Sequence, residues 1–257
     1  MSQDVGARAK VLLAEGERII TEAKKRDLHL RLLGAISFQL HCPKFKYIAT
    51  KYRGIMTDID FAGYGSENNK VTILMRDLGY ADEPMVTWLF GDRRTIWDNK
   101  LNGIHVDIFL DKLEMNHTIP FNGRLDIEPL TISLADMLLE KMQIVQINEK
   151  DIVDTIMLLR EHDIGDPASE TVDAKYIART LANEWGFYYT FTTNLNKVLA
   201  RLSAYQELTD EDRKVVSGRI EKLQKIIEGQ PKNMSWKLRA RVGPKSKWYR
   251  DVEEVKR

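Results

Sequence analysis

Cysteine is almost absent from this sequence, with Cys42 the single example among 257 residues. One thiol excludes an internal disulfide framework and any zinc site built from several thiolates, which suits a reducing compartment. The sequence has no apolar run near the roughly 18 residues that span a bilayer. Its first residues also lack the basic and apolar segments of a signal peptide. These absences predict a cytoplasmic protein without a membrane partner.

Several common catalytic signatures are missing as well. The sequence contains no Gly-x-x-x-x-Gly-Lys-Ser/Thr loop, no His-Glu-x-x-His pair and no Gly-x-Gly-x-x-Gly turn. Its five histidines do not cluster at the spacing of metal ligands. A composition of 43% hydrophobic and 30% charged residues excludes a wholly disordered chain. The length allows one large hydrophobic core or two small ones.

The first half of the chain is predicted to be a mixed sheet with helices packed on it. Apolar residues at helical spacing indicate a first helix from Val5 to about Lys25. The basic, aromatic stretch from 42 to 54 is predicted to be a loop or ribbon. Further helices are predicted at 35–40 and 70–78, and strands at 30–34, 58–61, 86–90, 95–97 and 104–110.

The second half of the chain is predicted to be mostly helical. Ser133 is expected to begin a helix with Asp136 at capping-box spacing, and Asn148 is expected to cap the next helix. Helical patterns continue to residue 228 without a clear strand, and Gly165-Asp-Pro167 is the best candidate linker. The prediction is an α+β protein with a mixed-sheet domain at 1–128 and a helical domain at 129–257 that ends in a basic tail.

Asp58 and Asp60 are separated by one residue in a segment with strand character. In a strand, residues i and i+2 point to the same face, so the two carboxylates would project together and repel each other. A divalent cation such as Mg²⁺, which takes oxygen ligands and keeps positions for phosphate oxygens, relieves that repulsion. Solvated turns and edge strands also contain aspartates two residues apart, so the pair alone leaves a purely structural interpretation open.

Asp107 adds a third acid inside the apolar segment Ile104–Leu110. Burying an unpaired charge costs several kcal/mol, so a cation or a hydrogen-bond network is expected beside it unless the strand edge faces solvent. Three carboxylates from two neighbouring strands form the ligand set of a two-metal phosphoryl-transfer site. His105, on the same predicted face, would either orient a carboxylate, contact substrate or serve as a structural histidine.

These motifs resemble the DNA polymerase β-type nucleotidyltransferase superfamily. The resemblance depends on Gly34 after an apolar strand, Arg53, Asp58-Ile-Asp60-Phe61 and Val106-Asp107-Ile108. It implies a mixed-sheet nucleotidyltransferase core followed by a helical C-terminal region. In that superfamily the first two aspartates and the acid of the third strand hold two Mg²⁺ ions. The resemblance therefore implies metal binding by Asp58, Asp60 and Asp107, with Asp107 also activating the acceptor hydroxyl.

Two helical segments narrow the resemblance to the bacterial abortive-infection (AbiEii-like) toxin nucleotidyltransferases. These segments are Leu134-Ala-Asp-Met-Leu-Leu-Glu-Lys141 and Lys150-Asp151-Ile-Val-Asp154. The resemblance implies that Lys141 approaches the nucleotide triphosphate and that Asp151 orients this lysine or touches the nucleotide. A salt bridge between consecutive helices is the alternative for this pair, and Asp154 is expected to be a structural partner or a cap.

The glycine turn departs from the family pattern. The resemblance assigns Gly34 to the phosphate loop, but Ala35 stands at the second position of the usual Gly-Gly or Gly-Ser pair. Ser37, two residues further on, could supply the missing hydroxyl and is the candidate nucleotide-binding residue there. Met56 also stands where the toxin group often carries serine. The match to the family is therefore complete for the three metal-binding acids and partial for the phosphate loop.

The tail from Pro231 to Arg250 contains seven basic and three aromatic residues and no acid. Basic residues mixed with aromatic residues are typical of segments that contact a nucleic-acid backbone and stack on bases. The alternatives are a solvated tail, or tryptophans that pack on the helices.

The leading hypothesis is a Mg²⁺-dependent nucleotidyltransferase that moves a nucleoside monophosphate from an NTP such as ATP to a hydroxyl acceptor and releases pyrophosphate. RNA, for example a tRNA 3′ end, is the expected acceptor, with a protein hydroxyl or a small molecule as alternatives. The toxin resemblance implies a possible antitoxin protein as partner. The second hypothesis is a regulatory protein of the same fold that binds a metal or nucleotide without turnover.

Overall fold

The structure is a computed structural model that describes residues 2–52, 54, 56–83, 91–166 and 170–252. The chain divides into two compact units. The first, the sheet unit, comprises Met1–Leu113 and Ile119–Ser133, and the second, the helical unit, comprises Glu114–Thr118 and Leu134–Arg257. The predicted boundary between 128 and 129 lies close to Ser133. The assignment of 114–118 to the helical unit had no signal in the sequence.

A five-stranded mixed sheet forms the centre of the sheet unit. Its strands are β1 (Leu30–Leu33), β2 (Asp58–Gly63), β3 (Ala81–Asp82), β4 (Arg94–Asn99) and β5 (Ile104–Leu110). They are arranged in the order β1-β2-β5-β4-β3, with β2 and β5 parallel and the other pairs antiparallel. The two strands that bear the acids are therefore neighbours in the middle of the sheet. The predicted strand at 86–90 lies outside the described residues.

The helices of the sheet unit cover one face of the sheet. They are α1 (Ser2–Lys24), α2 (Gly34–His41), α3 (Lys46–Tyr52) and α4 (Asn68–Asp77), with a short 3₁₀ turn at Gly65–Glu67. Apolar residues from the strands, such as Ile59 and Phe61, join Leu12, Ile19 and Leu74 of the helices in a fully buried core. Removing this apolar surface from water is the main stabilising contribution to the unit. The opposite face of the sheet carries the acids Asp58, Asp60 and Asp107 together with buried apolar residues such as Ile96 and Phe109.

The prediction of a loop or ribbon across residues 42–54 was wrong, because the chain forms helix α3 there. Ile48 is fully buried and Ala49 is 2% exposed, so α3 is held by a short apolar patch. Basic and aromatic residues around this pair masked the helical pattern, since two buried positions are too few to show a period.

The helical unit contains six α-helices among the described residues. They are α5 (Leu134–Met142), α6 (Glu149–Glu161), α7 (Ala174–Asn183), α8 (Trp185–Arg201), α9 (Asp210–Gly229) and α10 (Met234–Val242). The Asn148 side chain accepts a hydrogen bond from the Asp151 backbone N–H at 3.1 Å, which confirms the predicted cap of α6. Within the described residues, no helix combines the length and apolar character that a membrane crossing requires.

Short strands complete the fold. β6 (Lys112–Glu114) pairs with β7 (Thr118–Pro120), and β8 (Asp163–Gly165) pairs in parallel with β9 (Thr171–Asp173). The expectation that the second half has no strand was therefore wrong. Gly165 of the predicted linker lies in β8, and Pro167 lies outside the described residues. Three-residue strands are too short to show an alternating pattern.

The tail packs on the helical unit. The indole N–H of Trp236 donates to the Leu181 carbonyl at 3.1 Å, and that of Trp248 donates to Thr190 Oγ1 at 3.0 Å. Of the alternatives for the tail, packing of the tryptophans on the helices is therefore the one observed. The chain as a whole is a mixed α/β protein with a mixed sheet and a helical C-terminal region, which confirms this part of the predicted fold class.

Candidate metal-binding face of the sheet

The register between β2 and β5 brings the predicted acids together. Asp60 lies opposite Asp107, and Asp58 lies opposite His105, in two parallel strands. Residues in register on neighbouring strands project to the same face of a sheet, about 5 Å apart. Asp58, Asp60, Asp107 and His105 therefore share one face, while Ile59 points into the core on the other.

The three carboxylates lie at different depths. Asp107, in the centre of the sheet, is only 4% exposed, whereas Asp58 and Asp60 are half-buried. Two carboxylates can therefore reach a ligand from solvent, next to a third that is shielded from water. Carboxylate oxygens are the ligands that Mg²⁺ takes in proteins, so this donor set is chemically suited to a hard divalent cation.

Arg94 of β4 forms an ion pair with the buried acid. Its Nη2 donates to Asp107 Oδ2 at 2.7 Å, and its guanidinium carbon lies 5.0 Å from the centre of the Phe109 ring. An arginine is therefore one partner of the kind expected beside Asp107, a cation or a hydrogen-bond network, and metal binding there stays a prediction. The ion pair between Arg94 and Asp107 was not predicted from the sequence, because a diagonal contact between antiparallel strands depends on the register of the strands.

His105 has its own partner on the neighbouring strand. Its Nδ1 contacts the carboxylate of Asp98, which lies opposite His105 in β4. The side chain is 43% exposed. This contact favours the structural role for His105, and it places a second polar pair beside Asp58.

Gly34 approaches the carboxylate of Asp60 more closely than any other residue type allows. It begins α2 with a φ of +68°, and a Cβ at this position would lie 2.5 Å from Asp60 Oδ2. The left-handed conformation favours glycine, and the close contact excludes a side chain. The first backbone N–H groups of α2 therefore lie next to Asp60, where they could face an anion. The sequence identified this glycine, although only the structure shows the carboxylate against it.

The residues around this turn have structural partners. Ser37 is fully buried, and its Oγ donates to the Gly34 carbonyl oxygen at 2.7 Å, which closes the first turn of α2. Met56, at the position where serine was expected, is 7% exposed and belongs to the hydrophobic core. Ala35 is partly buried, and Arg53 lies outside the described residues.

The predicted nucleotide-binding residues of the helical unit form a buried ion cluster. Lys141 Nζ lies 2.9 Å from Glu140 Oε1, 3.4 Å from Asp154 Oδ2 and 3.7 Å from Asp151 Oδ1. Lys141 is only 7% exposed and Asp154 is fully buried. The salt bridge between consecutive helices, which the sequence left as the alternative for Lys141 and Asp151, is present, and Asp154 contacts Lys141 as a structural partner would.

No family model, no curated protein and no solved structure matches the chain. The family resemblance therefore rests on the sequence motifs alone, and the chemistry of the site is what supports a function.

Proposed function

We propose that the sheet face with Asp58, Asp60 and Asp107 is the active site of a Mg²⁺-dependent nucleotidyltransferase. The reaction would transfer a nucleoside monophosphate from an NTP such as ATP to a hydroxyl acceptor and release pyrophosphate. The supporting observation is the register that sets Asp60 opposite Asp107. A protein gains no stability from three carboxylates on one face unless cations or hydrogen-bond donors compensate them.

The donor set fits the metal that the resemblance implies. Asp58, Asp60 and Asp107 would hold two Mg²⁺ ions, and Gly34 leaves the space beside Asp60 open because it has no Cβ. When bound, the ions supply positive charge that stabilises the reacting phosphates and the pyrophosphate leaving group.

Asp107 would accept the proton of the acceptor hydroxyl. The acceptor oxygen then forms a bond to the α-phosphorus while the bond from that phosphorus to the pyrophosphate oxygen breaks. Arg94 holds the Asp107 carboxylate in place through its 2.7 Å hydrogen bond. Positioning of a base before the reaction lowers the entropic cost of reaching the transition state.

Phosphate contacts are proposed at the start of α2, where the first backbone N–H groups of the helix follow the Gly34 turn. Nucleotide contacts by Ser37, Lys141 and Asp151 stay predictions. Each of these three side chains has a structural partner, so its substitution would test folding and binding together.

The proposed acceptor is RNA, for example a tRNA 3′ end. The support is the composition of the segments at 44–53 and 232–250, which are rich in basic and aromatic residues. A toxin role with an antitoxin partner is proposed only from the resemblance of the helical motifs.

The direct test is a transfer assay with Mg²⁺, each labelled NTP and total RNA. We expect label transfer that Asp58→Asn or Asp60→Asn lowers by at least about 100-fold, because each removes a charged ligand. Asp82→Asn is the control, since Asp82 lies on edge strand β3 and pairs with Arg76 at 3.2 Å. The absence of transfer to RNA, protein or small molecules, together with intact NTP binding, would exclude the enzyme.

Two observations favour the second candidate, a metal- or nucleotide-binding protein without turnover. Arg94 already compensates the charge of Asp107, and Ala35 replaces a residue that usually contacts phosphate. In that case the same assay would show NTP binding that depends on Asp58 and Asp60, but no product.

A further inference from the structure

We propose that the helical unit has a second ligand site, which binds an aromatic base that carries a phosphate. A free nucleotide and an unpaired base in RNA share this chemistry. The site is a cavity of about 610 Å³ at the place where the tail packs on the start of α8. Cavities of this size accommodate ligands as large as a nucleotide. The proposal is independent of the proposed transfer reaction.

Aromatic side chains form a large part of the cavity wall. They are Trp185, Trp236, Trp248 and Tyr249. Three of the protein's five tryptophans are therefore found at this one cavity. Trp185 is only 7% exposed, whereas Trp236, Trp248 and Tyr249 are partly exposed and supply the faces on which a base can stack.

Contacts with the rest of the unit hold the aromatic wall in place. Trp185 stacks on Tyr189 with 5.0 Å between ring centres, and the Arg239 guanidinium carbon lies 4.6 Å from the Trp185 ring centre. Arg239 also donates to the carbonyls of Gly243 and Ser246, each at 2.7 Å. A wall that is ordered before binding loses little conformational entropy when a ligand arrives.

A chain of hydrogen bonds positions one carboxylate at the cavity. Thr190 Oγ1 lies 3.0 Å from the indole nitrogen of Trp248 and 2.9 Å from Nε2 of His117. His117 Nδ1 lies 3.0 Å from Glu184 Oε1. An indole N–H can only donate, so the Thr190 hydroxyl accepts from Trp248 and can donate to His117 Nε2. Nδ1–H of the neutral imidazole is then left to donate to Glu184.

The Glu184 side chain is 50% exposed, so its carboxylate can also accept hydrogen bonds from a ligand. An ionised carboxylate only accepts. The Watson–Crick edge of guanine offers two adjacent N–H donors, whereas uracil offers one N–H between two carbonyls. Among bases, the cavity should therefore prefer guanine to uracil.

Basic residues at the cavity can serve a phosphate. The lining contains the cations Arg239, Lys247 and Arg250 and one anion, Glu184. Lys247 pairs with Asp251 and Arg250 pairs with Glu114. Both cations are about half exposed, at 53% and 51%, so a phosphate would exchange with these surface acids at small cost.

The test is a titration with GMP, UMP and short single-stranded RNA, followed by calorimetry and tryptophan fluorescence. The titration is done with EDTA on the double variant Asp58→Asn, Asp60→Asn, which removes any contribution from the sheet face. A failure of this proposal can then be told apart from a failure of the transfer reaction. We expect saturable binding, with GMP bound about fivefold or more tightly than UMP because a charged hydrogen bond discriminates by this order.

Three variants test which side chains of the cavity contribute to ligand binding. Trp236→Leu should weaken binding by about 5- to 100-fold, the range of losing one stacked base. Glu184→Gln should remove most of the preference for GMP, and Lys247→Ala should weaken all ligands alike. Lys245→Ala is the matched control, because Lys245 is a basic residue of the same tail outside the cavity lining.

The outcomes separate clearly. If the protein binds RNA more tightly than GMP, its ligand is an unpaired base in RNA. If the protein binds RNA and GMP with equal affinity, its ligand is a free nucleotide. The absence of saturable binding for every ligand would overturn the proposal, as would binding that all three variants leave unchanged. If Trp236→Leu fails to fold, the other two variants keep the test valid, since they alter side chains that are about half exposed.

Discussion

Each unit of the protein contains three acids close to a basic residue that pairs with at least one of them, but the two clusters differ in depth. In the sheet unit, Asp58, Asp60 and Asp107 share the sheet face on which Arg94 pairs with Asp107, and two of these acids are half-buried. In the helical unit, acids at 140, 151 and 154 surround a lysine, and all four residues are at most 9% exposed.

This difference is the reason for proposing a ligand site at the sheet face and a structural role for the helical cluster. A buried acid must be paired within the protein, because leaving it unpaired after folding is costly. A half-buried acid can exchange its partner for a metal ion at a smaller cost. The same residue types therefore suggest binding at the sheet face and structural stabilisation in the helical unit.

The largest expected effect tests the structural role of the helical cluster. Lys141→Met removes the cation from three buried acids and should lower the free energy of unfolding by about 3–5 kcal/mol, as measured by urea denaturation. Lys175→Met is the control, because its pair with Asp166 is exposed and should be worth at most about 1 kcal/mol. A stable Lys141→Met protein that fails to bind NTP would instead assign this cluster to the nucleotide.

The next effect concerns the glycine turn of the sheet face. Gly34→Ala should cost about 1–2 kcal/mol for the left-handed conformation, and it should also displace the Asp60 carboxylate. Gly103→Ala is the control, because Gly103 has the same left-handed backbone conformation as Gly34, with a φ of +65°, but a Cβ at this position would have no atom within 4 Å. Both variants should lose stability, and only Gly34→Ala should lose Mg²⁺ binding measured by calorimetry. Equal Mg²⁺ affinity in the two variants would contradict a metal site at Asp60.

A smaller effect measures competition between Arg94 and a metal. Arg94→Gln removes a cation that pairs with Asp107 at 2.7 Å, so Mn²⁺, used as a probe for Mg²⁺, should bind about five- to tenfold more tightly. Paramagnetic resonance of Mn²⁺ gives the affinity directly. Arg76→Gln should leave this affinity unchanged, since Arg76 pairs with Asp82 on the sheet edge. Weaker Mn²⁺ binding in Arg94→Gln would show that Arg94 supports the site rather than competes with the ion.

The smallest effect concerns an acid of the helical unit with a shifted pKa. Burial raises the pKa of Asp212, but hydrogen bonds from Thr209 and Arg160 outweigh it, so the pKa lies below its ordinary value. A depressed pKa stabilises the fold above the unfolded pKa of about 3.9, and the contribution is lost as the pH falls below it.

Asp212→Asn should therefore cost about 0.5–1 kcal/mol at pH 7. This difference should shrink as the pH falls through 4 towards 3, as measured by thermal unfolding across that range. Asp210→Asn is the control, because Asp210 belongs to the same helix but is fully exposed, and its 2.8 Å pair with Arg213 lies at the surface, so this variant should change stability little at either pH. If the stability difference between the wild type and Asp212→Asn stayed constant with pH, Asp212 would stabilise the fold through packing and neutral hydrogen bonds and not through its charge.

Much of the architecture follows from local sequence patterns. Strand β5 was predicted with its observed bounds, and Asn148 caps α6 as predicted, because a strand of seven residues and a cap each have a local physical signature. Helix α3 and strand β8 were missed, since each depends on one or two buried residues. Short elements form where tertiary packing covers them, and propensity contributes little to that outcome.

The candidate sites likewise combine residues that local sequence patterns predict with contacts that depend on the tertiary structure. Residue type and spacing were enough to select Asp58, Asp60, Asp107 and Gly34, because paired acids and a turn glycine are local features. The pairing of Arg94 with Asp107 depends on strand register, and the link from Trp248 through Thr190 and His117 to Glu184 joins residues up to 131 positions apart. Contacts at such separations arise only when the whole chain packs, so the tertiary structure alone reveals which acids are open to a ligand and where the tail forms a cavity.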